Sequence, residues 1–244
     1  MKRSELTNTV LCALDVETYD RIAAHLSHAD FERGDLFHEP NTQINRIYFP
    51  HSGVVSLLTV MADGSAIETS TVGRESAIGL GAALAPARSF NRSIGQAAGR
   101  VSSIDAERLR AISRDTPRLR EVIVRHADAL LAQAQQSVAC NALHDVEERF
   151  CRWLLTCHDR TQSDEIQLTQ EFLAMMLGVQ RTTVTQVAGM LQSAGLIRSS
   201  RGRVQILDRP GLERRACECY EVVRNYFDVV TPEPASDGPC APAG

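Results

Sequence analysis

The stretch "LGVQRTTVTQVAGML", Leu177–Leu191, places a glycine and a polar cluster between two helical patterns. Two helices that cross at a tight turn need a small residue at the crossing, a turn residue that tolerates positive φ, and a buried aliphatic residue in the second helix. Ala174, Gly178 and Val184 supply these in that order. Thr169 is positioned to cap the first helix. The pattern therefore predicts a helix-turn-helix.

Polar side chains stand near the N-terminus of the second predicted helix, the end from which a recognition helix contacts base edges. Arginine can donate two hydrogen bonds to guanine, glutamine can pair with adenine, and threonine can contact a thymine methyl group or a phosphate. The candidate base-contacting residues are Arg181, Thr182, Thr183 and Gln186. An ordinary helical hairpin with a solvated polar face would show the same local pattern.

A second feature, the segment "LIRSSRGRVQIL" at residues 196–207, pairs two β-rich runs around Arg201-Gly202. Such a hairpin resembles a wing that contacts phosphates through Arg198, Arg201 and Arg203. No Asp or Glu occurs from Phe172 to Leu207, and the four arginines of that window give it a charge of +4. Together these features predict binding to double-stranded DNA.

Composition limits the alternatives. The chain has 244 residues, 43% of them hydrophobic, and a net charge of −4, which argues against non-specific nucleic-acid binding outside the basic window. Every apolar run is much shorter than the roughly 20 residues that span a bilayer. The start "MKRSELTNTVLCALDVE" meets an acid before any long apolar run, unlike a signal peptide. We expect a cytoplasmic protein without a membrane partner.

The cysteines are scattered and lack C-x-x-C spacing, so we expect neither a metal site nor an iron–sulfur site. Cys217 and Cys219 are the one close pair, and positions i and i+2 of a helix point to different faces. The seven histidines are also dispersed. The sequence shows no P-loop, G-x-S-x-G, H-E-x-x-H or dinucleotide fingerprint, so no catalytic residue and no enzyme activity are predicted.

The first half of the chain reads as a helical lead-in at 5–27, followed by short strands and glycine turns from 31 to 104. An Asp63-Gly64 pair is a hairpin signal, and many short strands favour a β-barrel or jelly roll. Helical spacing is also predicted at 213–227. A fold of the α+β class accounts for this order of elements.

A long helix is predicted to begin at Thr116-Pro117. Apolar residues at spacings of three and four form one stripe along it: Leu119, Ile123, Ala127, Leu130, Ala134 and Val138. Such a stripe is covered either by the helix's own domain or by a second copy of the chain. We favour dimerisation.

The segment "LTQEFLAMMLGVQRTTVTQVAGMLQSAGLI" followed by "RGRVQI" resembles the winged helix-turn-helix of the Crp/Fnr transcription regulators. The order of parts is also similar, and "ACNALHDVEERFCRWLL" with "CECY" resembles an alphaproteobacterial branch. The resemblance spans residues 10–227 and is most specific in 139–220. It implies a homodimer on a pseudo-palindromic operator, with RNA polymerase as a partner and an unknown signal.

The resemblance also implies four parts. They are a cyclic-nucleotide-binding-like sensor domain of double-stranded β-helix (jelly-roll) fold at 1–115, a dimerisation helix at 116–142, the winged helix-turn-helix at 143–230, and a disordered tail at 231–244. The family's best-known members have a glutamate where this chain has Thr182. We therefore expect the operator to differ at that base pair.

Cyclic-nucleotide binders of the family use a G-E-[aliphatic]-A segment and an R-[ST]-A segment. Aligned on "AIGLGAAL", this chain has Leu80 in place of the glutamate, although Glu75 of "GRES" is an alternative. Arg92 and Ser93 resemble the second segment and could bind an anion or decorate a polar loop. Cyclic AMP binding is therefore expected to be absent or weak, with a cyclic-nucleotide-responsive regulator as the alternative.

Overall fold

Two short helices precede the first sheet in the computed structural model, which describes residues 6–200 and 202–231. Helix α1 (Thr9–Cys12) is capped by Asn8, whose side chain accepts a hydrogen bond from the amide of Leu11. Helix α2 (Val16–Ala23) is capped in the same way by Asp15. The predicted helical lead-in is therefore interrupted, because a new N-cap begins a second helix.

Seven strands of the N-terminal half form two antiparallel sheets. The strands are β1 (Ser27–Phe31), β2 (Leu36–His38), β3 (Arg46–Pro50), β4 (Val54–Val60), β5 (Ala66–Val72), β6 (Arg92–Ala97) and β7 (Gly99–Asp105). Their order is β1-β7-β3 in one sheet and β2-β6-β4-β5 in the other. The β4–β5 hairpin turns at Gly64, with φ of 84°, as the Asp63-Gly64 pair predicts. The predicted β-rich sensor fold is confirmed.

A helical layer closes one side of these sheets. A 3-10 turn (Leu80–Ala83) and helix α3 (Ala106–Arg114) pack with α1 and α2 around a common core. Helix α3 begins where the side chain of Asp105, at the end of β7, accepts a hydrogen bond from the amide of Arg108. The sequence analysis did not predict α3.

Helix α4 (Pro117–Leu143) is 27 residues long and begins at the predicted proline. Thr116 precedes it, but its hydroxyl donates to the carbonyl of Ile112 at 2.8 Å and does not cap the helix. At about 1.5 Å per residue the helix is roughly 40 Å long, so it extends well beyond the sheets.

The predicted apolar stripe of α4 does not form one exposed face. Leu119 and Ile123 are only 2% and 1% exposed, because they pack into the core of the N-terminal half. The large apolar residues exposed on α4 are Val124 (59%), Leu131 (56%), Val138 (72%) and Leu143 (79%). The first three are spaced by seven residues. The prediction of a dimer face through Leu119 and Ile123 is wrong, whereas Val138 of the predicted stripe is exposed.

The C-terminal half surrounds a second core with helices and a small antiparallel sheet of order β8-β10-β9. Its elements are α5 (Val146–Thr161), β8 (Glu165–Gln167), α6 (Gln170–Leu177), α7 (Arg181–Ser193), β9 (Ile197–Ser200), β10 (Arg203–Ile206), α8 (Arg209–Arg215) and α9 (Cys219–Val230). Asp145 and Glu148 form a capping box at the start of α5. The single helix predicted at 213–227 is two helices, broken between α8 and α9.

The two halves contact each other directly. The amide Nε2 of Gln96 on β6 donates to the Met176 sulfur on α6 at 3.5 Å. The Arg33 guanidinium lies over the Phe172 ring, 5.3 Å from its centroid, and Arg160 of α5 reaches the N-terminal half. Among the described residues, the helices are too short or too polar to cross a bilayer.

Candidate nucleic-acid interface

The turn between α6 and α7 has the predicted geometry. Gly178 ends α6 in the left-handed conformation, with φ of 63° and ψ of 35°. Val184 is fully buried, Ala174 packs against the same core, and the Thr169 hydroxyl accepts a hydrogen bond from the Phe172 amide at 3.3 Å. A side chain with a Cβ would be strained at Gly178, so the glycine holds the crossing of the two helices.

Helix α7 buries one side and exposes the other. Val184, Val187 and Leu191 face the core. Of the predicted base-contacting residues, Arg181, Thr182 and Gln186 are exposed and Thr183 is half-buried. The polar N-terminal end of α7 is thus presented on the surface of the C-terminal half.

Arg181 has an acidic neighbour that the sequence window did not reveal. Its Nη1 lies 2.6 Å from a carboxylate oxygen of Glu171, and both side chains are exposed. The Arg181 Nε also donates to the Gln170 side-chain oxygen at 3.4 Å, and the Thr185 hydroxyl donates to the same oxygen at 3.1 Å. Exposed ion pairs contribute only about 0–1 kcal/mol, so a DNA base or phosphate can replace Glu171 as the partner of Arg181.

The predicted wing is the β9–β10 hairpin, which pairs through Ile197 and Ile206 at its base. Exposed Arg198 donates to the Gln205 side-chain oxygen at 3.3 Å, and exposed Arg203 lies 2.9 Å from a Glu165 carboxylate oxygen. Gly202 has φ of 76°, as a tight tip requires. Arg201, the third predicted wing residue, lies outside the described residues, as does the predicted tail from 232.

The basic window contains no acidic residue in the sequence, but the fold places two acidic side chains beside its arginines. Glu165 and Glu171 precede it in the chain, and the fold brings their carboxylates onto Arg203 and Arg181. Sequence reasoning missed these two acids, together with Gln170 and Thr185. Thr185 could have been predicted from the sequence, because residues four apart on a helix share a face and Thr185 follows Arg181 by four.

The candidate ligand residues of the N-terminal half lie in different surroundings. A Glu75 carboxylate oxygen lies 2.6 Å from Nη2 of Arg160 and accepts a hydrogen bond from the Gly73 amide. Arg92 pairs with Glu39, its Nε lying 3.0 Å from a carboxylate oxygen, and Ser93 is buried. Both charged candidates are thus held by other partners.

Leu80, which stands at the glutamate position of the better alignment, is buried in the core of the N-terminal half. A buried leucine cannot accept a hydrogen bond from a ribose hydroxyl. A cavity of about 850 Å³ lies elsewhere, between the two halves. Glu75, Gln133 and Arg160 line this cavity. Arg92 and Ser93 are not among the described residues that line it.

A buried histidine of helix α4 contacts the segment after β5 through hydrogen bonds. The His126 Nε2 accepts a hydrogen bond from the Ala77 amide at 3.0 Å and lies 2.7 Å from the Ser76 hydroxyl. Burial lowers the pKa of His126 to about 4, so the ring is neutral at pH 7. Gln133, two turns further along α4, donates to the Thr71 carbonyl at 3.3 Å.

Known proteins share this arrangement. Residues 148–215 match the Crp-like helix-turn-helix domain. Over 202 residues the chain is 26% identical to the CRP-like cAMP-activated global transcriptional regulator of Mycobacterium tuberculosis, covering 80% of this chain and 90% of that protein. It is 23% identical over 194 residues to the global nitrogen regulator of Synechococcus elongatus, covering 76% and 87%.

Solved structures show the same fold. The structure of FixK2 from Bradyrhizobium japonicum superposes with a TM-score of 0.67 at 14% identity, over 79% of this chain and 98% of that one. A β-sandwich, a long helix and a winged helix-turn-helix with an exposed polar recognition helix define a DNA-binding transcription regulator. Residues 148–215 belong to the Crp-like helix-turn-helix domain family, and the chain is a transcription regulator of the Crp/Fnr type.

Proposed function

We propose that the protein binds a pseudo-palindromic operator as a homodimer, with α7 of each copy in the major groove. Arg181, Thr182, Thr183 and Gln186 contact bases from the exposed end of α7. Arg198, Arg201 and Arg203 contact phosphates from the wing. The observation that carries this proposal is the exposure of both polar surfaces on the same small domain.

The homodimer forms through the exposed apolar face of α4. Val124, Leu131 and Val138 stand seven residues apart, and Ala127 and Ala134 lie three residues after the first two. A repeat of seven with this a/d spacing is the seam of a two-stranded coiled coil. Two copies joined along α4 present two α7 helices, which can occupy half-sites about one DNA turn, roughly 34 Å, apart.

The chain divides into a sensor domain at 1–115, a dimerisation helix at 116–142 and a DNA-binding domain at 143–230. The sensor domain responds to an unknown signal, and the protein works in the cytoplasm with RNA polymerase, without a reaction of its own. The cavity between the halves supports control by a small molecule, since Glu75 of the sensor side and Arg160 of the DNA-binding side both line it.

Selection of DNA from a random pool by the purified full chain tests this function. We expect enriched fragments to contain two inverted half-sites whose centres are about 10 base pairs apart. Binding to the enriched duplex must weaken with salt, because each phosphate contact releases counterions. Enrichment of no motif, or of a single half-site bound by a monomer, would contradict the proposal.

A further inference from the structure

Four metal-ligating side chains meet where the long helix ends. Cys140 lies in the last turn of α4, and His144 is the residue that caps it. Cys217 lies between α8 and α9, 77 residues after Cys140, and Cys219 is the first residue of α9. The three sulfur atoms and one imidazole nitrogen all lie within 4.8 Å of one another.

Two of the distances between these atoms are close to those of a filled tetrahedral site. Zinc bonds of about 2.3 Å to sulfur and 2.0–2.1 Å to nitrogen give tetrahedron edges of about 3.8 Å between sulfurs and about 3.5 Å between sulfur and nitrogen. The Cys140 and Cys217 sulfurs are 3.5 Å apart. The Cys219 sulfur and the Nδ1 of His144 are also 3.5 Å apart.

The surroundings orient these side chains as ligands. The Nε2 of His144 lies 3.1 Å from a Glu218 carboxylate oxygen, which leaves Nδ1 directed at the sulfurs. A carboxylate behind a histidine is the usual outer-shell partner of a metal-bound imidazole. Gln136 donates from Nε2 to the Cys219 sulfur at 3.0 Å, as outer-shell donors do to metal-bound thiolates.

Neither hydrophobic packing nor a disulfide accounts for the group. Cys140, Cys217 and Cys219 form a small buried cluster that is separate from the cores of the two halves. A disulfide needs sulfurs about 2.05 Å apart and would use two of the four side chains, which leaves the approach of the third thiol and the imidazole unexplained.

We propose that Cys140, His144, Cys217 and Cys219 bind one Zn²⁺ ion in a closed, structural Cys₃His site. Three sulfurs and one nitrogen within 4.8 Å of one another are a ligand set that zinc prefers. Binding releases the protons of the thiols to solvent and leaves three zinc–thiolate bonds and one zinc–imidazole bond. The metal joins the end of α4 to α9, immediately before α5 begins at Val146, and so holds the DNA-binding domain against the long helix.

Metal analysis of the full chain, purified without a polyhistidine tag, tests the proposal independently of DNA binding. We expect about one zinc per chain in the native protein. Cys217→Ser should lose nearly all of it. Cys151→Ser is the matched control, because Cys151 is a buried cysteine of the same half outside the cluster, and it should keep its zinc. Equal zinc in both variants would overturn the proposal.

A measurement on the native sequence keeps the test decisive if Cys217→Ser does not fold. Zinc is removed with a chelator and replaced by Co²⁺, and the absorption spectrum is recorded. We expect thiolate-to-cobalt charge-transfer bands with the intense visible bands of a tetrahedral site. Octahedral cobalt without thiolate bands, iron with sulfide in the purified protein, or a metal-free Cys140–Cys217 disulfide found by mass spectrometry would each overturn the assignment.

Discussion

Glu75 and Arg160 form an ion pair that joins the two halves of the protein: a carboxylate oxygen of Glu75 lies 2.6 Å from Nη2 of Arg160. Arg160 is buried, and its guanidinium also contacts the hydroxyl and the carbonyl of Thr71 on β5. Gly73 packs on the Arg160 side chain so closely that a Cβ there would clash. The residue that resembles a ligand glutamate thus positions the DNA-binding half.

Removing one partner of this pair should destabilise the protein. Glu75→Gln leaves the buried Arg160 charge without its carboxylate, and loss of one partner of a fully buried pair costs about 3–5 kcal/mol. Because Glu75 is partly exposed, we expect the free energy of unfolding to fall by about 1–3 kcal/mol, measured by urea titration. Glu121→Gln, which breaks surface pairs with Arg118 and Arg125, is the control and should leave the free energy of unfolding almost unchanged. Equal losses in the two variants would show that the Glu75–Arg160 pair stabilises the protein no more than a surface ion pair does.

Arg181→Ala should cost about 1–3 kcal/mol on the selected operator and relax the preference at one base pair. The physical reason is loss of two hydrogen bonds to a guanine edge. Glu171→Gln is the paired variant: it frees Arg181 from its ion pair and should leave affinity unchanged or higher. Fluorescence anisotropy on operator and scrambled duplexes checks both. An equal loss on the two duplexes for Arg181→Ala would assign this side chain to phosphate.

The wing arginines should behave differently from Arg181. Arg203→Ala and Arg201→Ala should weaken binding to every duplex and each reduce the slope of log affinity against log salt by about one unit. The reason is that a phosphate contact carries charge but no base information. Titrations at several salt concentrations measure the slope. A sequence-dependent loss would place these arginines on bases.

Charge on the exposed face of α4 should break the homodimer without unfolding the chain. Leu131→Asp is expected to sediment as a folded monomer with much weaker operator binding, because an aspartate in a coiled-coil seam is desolvated without a partner. Ala139→Asp, exposed on the same helix but outside the seven-residue repeat of the seam, should remain dimeric. Ile123→Asp should instead unfold the N-terminal half, since Ile123 is buried there. A dimer that survives Leu131→Asp would contradict the interface.

Stability should fall as the pH is lowered from 6.5 towards 4. Burial lowers the pKa of both His126 and His51 to about 4, whereas in the unfolded chain they titrate near 6.5. In this window the unfolded state binds protons that the folded state does not, so acid favours unfolding, by up to about 1.4 kcal/mol per pH unit for each group. His126→Gln should flatten the curve measured by urea titration. A curve as steep as the native one would show that His126 does not titrate in this window.

Glu68 should change the pH dependence of stability in the direction opposite to that of the two histidines. Burial raises its pKa from 4.5 to about 7, so the folded state keeps a proton that the unfolded chain loses, and stability declines as the pH rises from 4.5 to 7. Ser56, whose hydroxyl lies 2.5 Å from both Glu68 and Gln96, can donate to only one of them. A protonated Glu68 completes the chain of hydrogen bonds. Glu68→Gln should therefore raise stability above pH 7, and an unchanged stability there would contradict the raised pKa.

Local rules were sufficient for the helix-turn-helix. Ala174, Gly178 and Val184 meet requirements that depend on neighbours a few residues away, and so does the cap at Thr169. The Asp63-Gly64 hairpin and the start of α4 at Pro117 were predictable for the same reason. In each case the partners of a residue are close in sequence, so the order of side chains already specifies their contacts.

Contacts between distant segments required the three-dimensional structure. Ile123 and Val124 are both aliphatic, and only the packing of α4 on its own N-terminal half separates the buried one from the exposed one. The fold places Glu165 beside Arg203 and Glu171 beside Arg181, so the candidate DNA-binding surface is less positive than the sequence window predicts. Cys140 and Cys217 are 77 residues apart in the chain, yet α9 lies along α4 and brings their sulfurs together. Spacing along a chain predicts periodicity within an element, whereas the choice of partner for each face is made by how the elements pack.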